Sequence, residues 1–277
     1  RDESQALLRA SRRNELNRFL ALGYLHPSVC GATPAPTGLL PPGVRVYAIG
    51  DVHGRHDLLI TLQEAIVTEA ARQAAGRQVV VFLGDYLSRG PDSFGVIENL
   101  RQWRPAGLEI RLLRGNHEDL ALRFVDGDIA GGRQWFERGG GLATLASYGV
   151  PVAGRFTGSD ASVDSLRRDF RTALPDAHKA FFTGLAISHV EGGYRFVHAG
   201  VAPGVPLEMQ SRHDQLWTRQ AFLSSDEDFG AVIVHGHSID AQPQFRHNRI
   251  GIDTGAYHSG ILTCLVIDAG GYALLGP

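Results

Sequence analysis

The sequence predicts an α/β fold in which two β-sheets pack face to face and helices cover the outside. Short β-branched or fully apolar runs, such as 44–49 (VRVYAI) and 79–83 (VVVFL), alternate with segments of helical period in the first part of the chain. A largely helical middle follows, and the last third returns to strands. Neither set of strands shows the polar alternation of a sheet that faces water.

The first core strand runs from Val44 to Ile49 and ends at Gly50. Leu58, Leu62, Ile66 and Ala70 then share one helical face. Val79 to Leu83 forms the second strand, and after Pro91 a helix carries Phe94, Ile97 and Leu100 to Trp103. The third strand runs from Leu108 to Leu113. Strand followed by helix, repeated, predicts parallel and buried strands. From Asp119 to Gly184 the chain reads as helix, broken at Gly131-Gly132 and Gly139-Gly140-Gly141. Later strands are expected at 186–190, 194–197, 231–234, 249–252 and 261–267.

Residues 1–25 carry an apolar helical stripe (Leu7, Leu8, Leu16, Phe19, Leu20, Tyr24), and a Pro/Gly/Thr-rich stretch from Pro27 to Gly43 follows it. The expected division is an N-terminal helical arm and linker over 1–43 and a catalytic domain over 44–277. The arm is expected to pack on the domain or, in a sharper reading, to join two copies into an oligomer. The chain opens at Arg1 rather than methionine, so something upstream is expected.

Of the 277 residues, 43% are hydrophobic and 20% charged, ordinary for a protein that buries a full core. The net charge of −2, with arginines that outnumber lysines but lie scattered, leaves no basic field for a nucleic acid backbone. No apolar stretch approaches the roughly 18 residues of a membrane span. Cys30 and Cys264 are far apart and read as unpaired thiols of a reducing, cytoplasmic compartment.

The chemistry sits where strands end. Gly50-Asp51-Val52-His53-Gly54, Gly84-Asp85-Tyr86-Leu87-Ser88-Arg89-Gly90 and Arg114-Gly115-Asn116-His117-Glu118 each close an apolar run. Val197-His198-Ala199-Gly200 and His235-Gly236-His237-Ser238 add nitrogen donors. A lone Gly-Asp after a strand is an ordinary turn, and a lone buried histidine is an ordinary core residue. Five loops that each bring the needed donor are a different matter. Asp51 and His53, at i and i+2, share one side of an extended stretch and can reach one cation. Asp85 can bridge to a second, with Asn116, His198 and His237 around it. Carboxylate with imidazole suits manganese, iron or zinc better than calcium. Two such ions about 3.5–4 Å apart can hold a hydroxide and clamp phosphoryl oxygens. Arg89 and Arg114 each adjoin an expected ligand and suit bidentate phosphate binding. His117 follows Asn116 directly and is the natural proton donor. His213, His247 and His258 lack such company; His235 either orients His237 or faces away.

In their order, these motifs resemble the phosphoprotein phosphatases, metallophosphoesterases that act mainly on phosphoserine and phosphothreonine. The resemblance covers residues 44 to about 269, and takes in Trp135 to Tyr148, Leu216-Trp217-Thr218-Arg219 and Ile252-Asp253-Thr254-Gly255-Ala256, stretches similar to the bacterial branch. It implies a β-sandwich of two mixed sheets with flanking helices. It further implies two divalent metal ions, manganese above iron or zinc, and a phosphorylated protein or peptide as substrate. By position it makes Asp51, His53, Asp85, Asn116, His198 and His237 the metal ligands and His117 the general acid. Arg89, Arg114 and Arg219 would meet the phosphate, Arg219 on the resemblance alone. Dinucleoside polyphosphate hydrolases share most of these loops, and a phosphate-binding protein with weakened turnover is a third reading. The family's second loop normally carries an aspartate where this chain has Ser88. A hydroxyl there can orient His117 but supplies no charge, and Asp92 is an alternative partner for that ring.

Overall fold

Parallel strands covered on both faces form the middle of each sheet. In this computed structural model, which describes residues 38–73 and 76–275, β1 (Val44–Ile49), β2 (Arg77–Phe82) and β3 (Leu108–Leu112) run parallel. The second sheet holds β4 (Ser188–Glu191), β5 (Tyr194–Val197), β6 (Val232–His235), β7 (Gln244–Phe245) and β8 (Arg249–Gly251). Its order is β4-β5-β6-β8-β7, with β5, β6 and β8 parallel and the two edges antiparallel. The chain then returns to the first sheet with β9 (Cys264–Asp268) and β10 (Gly271–Leu275), in the order β10-β9-β1-β2-β3. Both sheets are mixed, as the resemblance implies.

Strand alternation divides the apolar side chains between two cores. Val44, Val46, Ala48, Val79, Val81 and Leu83 point between the sheets and meet Phe196, Val234, Ile250 and Leu265. Tyr47, Ile49, Val80 and Phe82 point the other way, onto Leu59, Leu62, Ile66, Val96 and Leu100. The helices α1 (His56–Ala70) and α2 (Ser93–Gln102) supply those residues. This explains the near-continuous apolar runs: both faces of these strands are covered. Full burial of each such side chain contributes about 1.5–3 kcal/mol.

The middle of the chain folds as α3 (Asn116–Val125), α4 (Ile129–Arg138), α5 (Gly141–Ser147), α6 (Asp160–Ala173) and α7 (Asp176–Gly184). Asp128 and Ser159 cap α4 and α6 by accepting the N–H groups of Gly131 and Ser162. The glycine break at 139–141 is the α4–α5 junction. Two short helices, α8 (Arg212–Trp217) and α9 (Gln220–Leu223), precede β6, and α10 (Ala256–Ser259) precedes β9.

The structure departs from the sequence reading at sheet edges. Ala186 makes only a single bridge to Leu113, and β4 starts two residues later. Residues 261–263 lie outside the strand: Thr254 Oγ1 donates to Ile261 O and meets Thr263 Oγ1, and Thr263 O accepts Gly50 N–H at 3.1 Å. The edges β7 and β10 were not anticipated; one is two residues long and the other only partly buried. Edge strands β3 and β4 are likewise mostly half-buried rather than fully covered.

The predicted helical arm over 1–25 and Cys30 lie outside the described residues. The end of the linker runs along the β4–β5 turn, where Gly193 N–H donates to Leu39 O at 2.8 Å. Among the described residues no helix is long and apolar enough to cross a membrane.

Candidate metal centre

The loops that leave β1, β2, β3, β5 and β6 converge at one end of the sandwich. Asp51, His53, Asp85, Asn116, His198 and His237 meet there, each no more than 6% exposed. Their backbones are unusual. Among the described residues the non-glycine positions with positive φ are His53, Asp85, Ser88, Arg89 and His237, all within these loops. Each such residue costs on the order of 1–3 kcal/mol and persists only where its surroundings fix it.

Glu118 is a large part of those surroundings. Fully buried, it accepts four backbone N–H groups: Asp85 and Gly115 on Oε2 (both 2.9 Å), Tyr86 and Leu87 on Oε1 (2.8 and 3.2 Å). It thereby ties the loop after β2 to the loop after β3. Gly115 permits this closeness, since a Cβ there would stand 2.1 Å from Asp85 Oδ1.

Two hydrogen bonds set the imidazole tautomers. His53 Nδ1–H donates to Leu87 O at 2.7 Å, and His198 Nδ1–H to Leu83 O at 2.9 Å. Their Nε2 lone pairs therefore point inward. His53 Nε2 lies 3.5 Å from Asp85 Oδ2 and 4.0 Å from Asp51 Oδ2. His198 Nε2 lies 3.4 Å from Asp85 Oδ1, 2.8 Å from Asn116 Oδ1 and 3.2 Å from His237 Nδ1. Asp85 thus stands between a His53 side and a His198 side. Backbone amides orient both aspartates: His117 N–H donates to Asp85 Oδ1 (3.0 Å), and His237 N–H to Asp51 (3.1 and 3.2 Å).

The electrostatics suit a cation. Burial, followed by the neighbouring Asp253 and Asp85, holds the Asp51 carboxyl well above the usual carboxylate range. Burial and Glu118 do the same to Asp85. Burial pushes His53 down to about 4 and His198 to about 3. It also lowers His237 and His117, helped by His198 and His53 respectively. Neutral imidazoles beside crowded carboxylates offer lone pairs to a cation. His198 Nε2 and Asn116 Oδ1 are both acceptors, and at 2.8 Å they repel unless a positive ion lies against both. Two donor groups satisfy the spacing of a metal site: His53, Asp85 and His117, and Asp85, His198 and His237, the atoms of each within 4.8 Å of one another. The donor set fits the implied pair of divalent ions.

The remaining predicted residues are placed as follows. Arg89 is exposed at the rim. Arg114 is buried, and its Nη2 donates to Phe182 O and Thr183 O at the end of α7, at 2.7 and 2.8 Å. Arg219 is exposed ahead of α9, close enough to depress His198 and His237 further. Ser88 does not orient His117 as expected. Its φ of +76 turns the side chain into the interior, where Oγ accepts from Trp135 Nε1 at 2.8 Å. Asp92 is no substitute, because it caps α2 and pairs with His56 Nδ1 at 2.9 Å. His117 Nδ1 is buried without a partner.

His235 faces away from the ligands, edge-on to Phe222 at 5.0 Å. His213 stacks on Trp217, and Trp217 in turn meets the edge of His237. His247 is half-buried, with Nε2 3.2 Å from Asp226 O, and His258 is exposed.

Three residues escaped the sequence reading. Glu118 was seen only as part of a motif. Asp253, 4% exposed with Oδ2 unpartnered, crowds Asp51. Tyr257 meets His53 edge-on at 5.5 Å.

The profile of the calcineurin-like phosphoesterases matches residues 44–254, which span every loop of this centre. The chain belongs to the calcineurin-like phosphoesterases. This agrees with the resemblance drawn from the motifs. Two relatives align over part of the chain. A symmetrical bis(5'-nucleosyl)-tetraphosphatase of Cronobacter sakazakii is 37% identical over 84 residues, 30% of this chain and 26% of that protein. Serine/threonine-protein phosphatase 1 of Salmonella typhimurium is 37% identical over 79 residues, 28% of this chain and 31% of that protein. The phosphoesterase thus spans about a quarter to a third of the length of these relatives. Among solved structures, a putative diadenosine tetraphosphatase superposes with a TM-score of 0.54 at 19% identity, over 88% of this chain and 98% of that one.

Proposed function

We propose that this phosphoesterase is a metal-dependent phosphomonoesterase that dephosphorylates phosphoproteins at serine or threonine, with phosphotyrosine also within its chemistry. The observation that carries the reading is the inward convergence of carboxylate, amide and imidazole donor atoms on both sides of Asp85. Asp51, His53 and Asp85 would hold one ion, and Asp85, Asn116, His198 and His237 the other, with manganese the best fit. When bound, such a pair activates water and neutralises phosphoryl oxygens.

The chain's own groups do the rest. Arg89 and Arg219 flank the centre and bind phosphoryl oxygens, and Arg114 adds fixed positive charge from beneath. His117, its backbone pinned to Asp85, is the group placed to give the leaving oxygen a proton. Burial, with no carboxylate on Nδ1 among the described residues, disfavours its imidazolium and so weakens it in that role. A phosphorylated protein or peptide in a reducing cytoplasm is the partner this chemistry fits; no basic patch supports a nucleic acid.

The name carried by the Cronobacter relative favours a second reading, hydrolysis of a dinucleoside polyphosphate. One experiment separates the two: metal content of the purified protein, with phosphate release from phosphopeptides set beside cleavage of a dinucleoside tetraphosphate. Turnover of p-nitrophenyl phosphate with Mn²⁺, lost in Asn116→Ala and His117→Ala, is expected of either enzyme. Its absence would leave only a phosphate-binding protein.

A further inference from the structure

Arg89 is an exposed residue whose side chain is nevertheless held on two sides. Its backbone, at φ +67, donates N–H to Gly140 O at 3.3 Å, and Nη2 reaches Arg138 O at 3.4 Å. Gly140 has φ +71, and a Cβ there would stand 3.0–3.1 Å from Arg89 N, Cα and Cγ, so the α4–α5 junction lies flush against the arginine. On the other side, the guanidinium carbon lies 4.9 Å from the centroid of the Tyr257 ring. That is within reach of a cation–π contact.

Tyr257 is itself fixed. It occupies the first turn of α10, which starts after Gly255 at φ +65, and Gly255 N–H donates to Asp253 Oδ1 at 2.9 Å. Its ring edge rests on His53 at 5.5 Å. One half-buried ring therefore touches both an expected metal ligand and an expected phosphate-binding arginine. A free arginine samples many rotamers; one laid on an aromatic face loses less freedom when an anion arrives.

We propose that Tyr257 is a positioning residue for phosphate binding, its ring holding Arg89 over the His53 side of the centre. The inference rests on the reading of Arg89 as a phosphate-binding group. It also gives Tyr257 a role distinct from packing, because the effect must pass through Arg89.

The test uses the full chain loaded with Mn²⁺, in the parent and in Tyr257→Phe, Tyr257→Leu, Arg89→Ala and the double variant Arg89→Ala/Tyr257→Leu. Inorganic phosphate binding is titrated by calorimetry, which needs no turnover, and bound metal is counted in each protein. KM and kcat for p-nitrophenyl phosphate give a second readout. Tyr257→Leu is expected to weaken phosphate binding by about two- to fivefold, the size of an exposed cation–π contact. KM should rise in parallel, with metal content retained and kcat moving much less. Tyr257→Phe, which keeps the ring, should restore the affinity, and Tyr257→Leu should add nothing once Arg89 is alanine. Equal effects of Tyr257→Leu with and without Arg89 would overturn the proposal, as would loss of metal from Tyr257→Leu. If Arg89→Ala alone leaves phosphate affinity unchanged, the reading of Arg89 fails and the proposal falls with it. If Arg89→Ala weakens binding and Tyr257→Leu does not, the proposal alone is overturned.

Discussion

The interior of the centre and its rim are built on opposite principles. Inside, Asp51, His53, Asp85, Asn116, His198 and His237 are buried, and Asp51, His53, Asp85 and His198 are each oriented by backbone groups of another loop. At the rim, Arg89 and Arg219 are exposed and lean on rings or lie near the ligands without burial. The interior is over-determined, which is what strained positions such as Asp85 at φ +51 require. The rim is adaptable. On the proposed reading, chemistry belongs to the inside and discrimination among phosphorylated molecules to the edge.

The contrast can be broken from the inside first. Asp85→Ala removes the group shared by both sides. Metal content should fall and turnover drop by well over a hundredfold, since even the partners of ligands typically cost about 10–100-fold. Glu118→Ala strips one acceptor from four backbone N–H groups. Denaturant unfolding should show a loss of about 3 kcal/mol or more, with metal affinity falling too. A stable Glu118→Ala protein that keeps its metal would show that the loops hold themselves. Excess Mn²⁺ should protect the parent, by about 2.7 kcal/mol at a hundredfold excess over its dissociation constant. Thermal melts with and without chelator check this.

Rim changes should be milder. Arg219→Ala is expected to raise KM about tenfold, the low end for a hydrogen bond to a charged group, with metal content unchanged. The smallest effect on turnover is expected at Ser88. Ser88→Ala leaves Trp135 Nε1 without its acceptor, which costs about 1–3 kcal/mol of stability. The ratio of rates on aryl and alkyl phosphates should hardly move; a large shift would return Ser88 to His117.

Much of the interior was legible because strand ends announce themselves. An apolar run followed by Gly-Asp or Gly-Asn marks both the element and the place where its side chains become available, and the structure gathers those side chains at one end of the sandwich. The short edges β7 and β10 left no such mark, since a two-residue strand has no period to read. The burial of Ser88 against Trp135 depends on a left-handed backbone that no composition reveals. Asp253 lies in a stretch noticed only by likeness and Tyr257 one residue beyond it; their crowding of Asp51 and Arg89 exists only once the second sheet docks. Glu118 is a matter of reach, because its carboxylate must span two loops, and length in three dimensions is invisible in a string of letters.

The hydrogen bond from the His237 amide to Asp51 joins a loop of one sheet to a loop of the other. Strand β1, which presents Asp51, also takes its antiparallel neighbour β9 from the far end of the chain. A ribosome that has made only the first half has already written Asp51, His53, Asp85 and Asn116 and the Glu118 ties among their loops, yet it lacks the amide that orients Asp51 and the imidazoles of His198 and His237. Ion capture would then wait for the second sheet to dock, and a half-made chain would stay chemically silent.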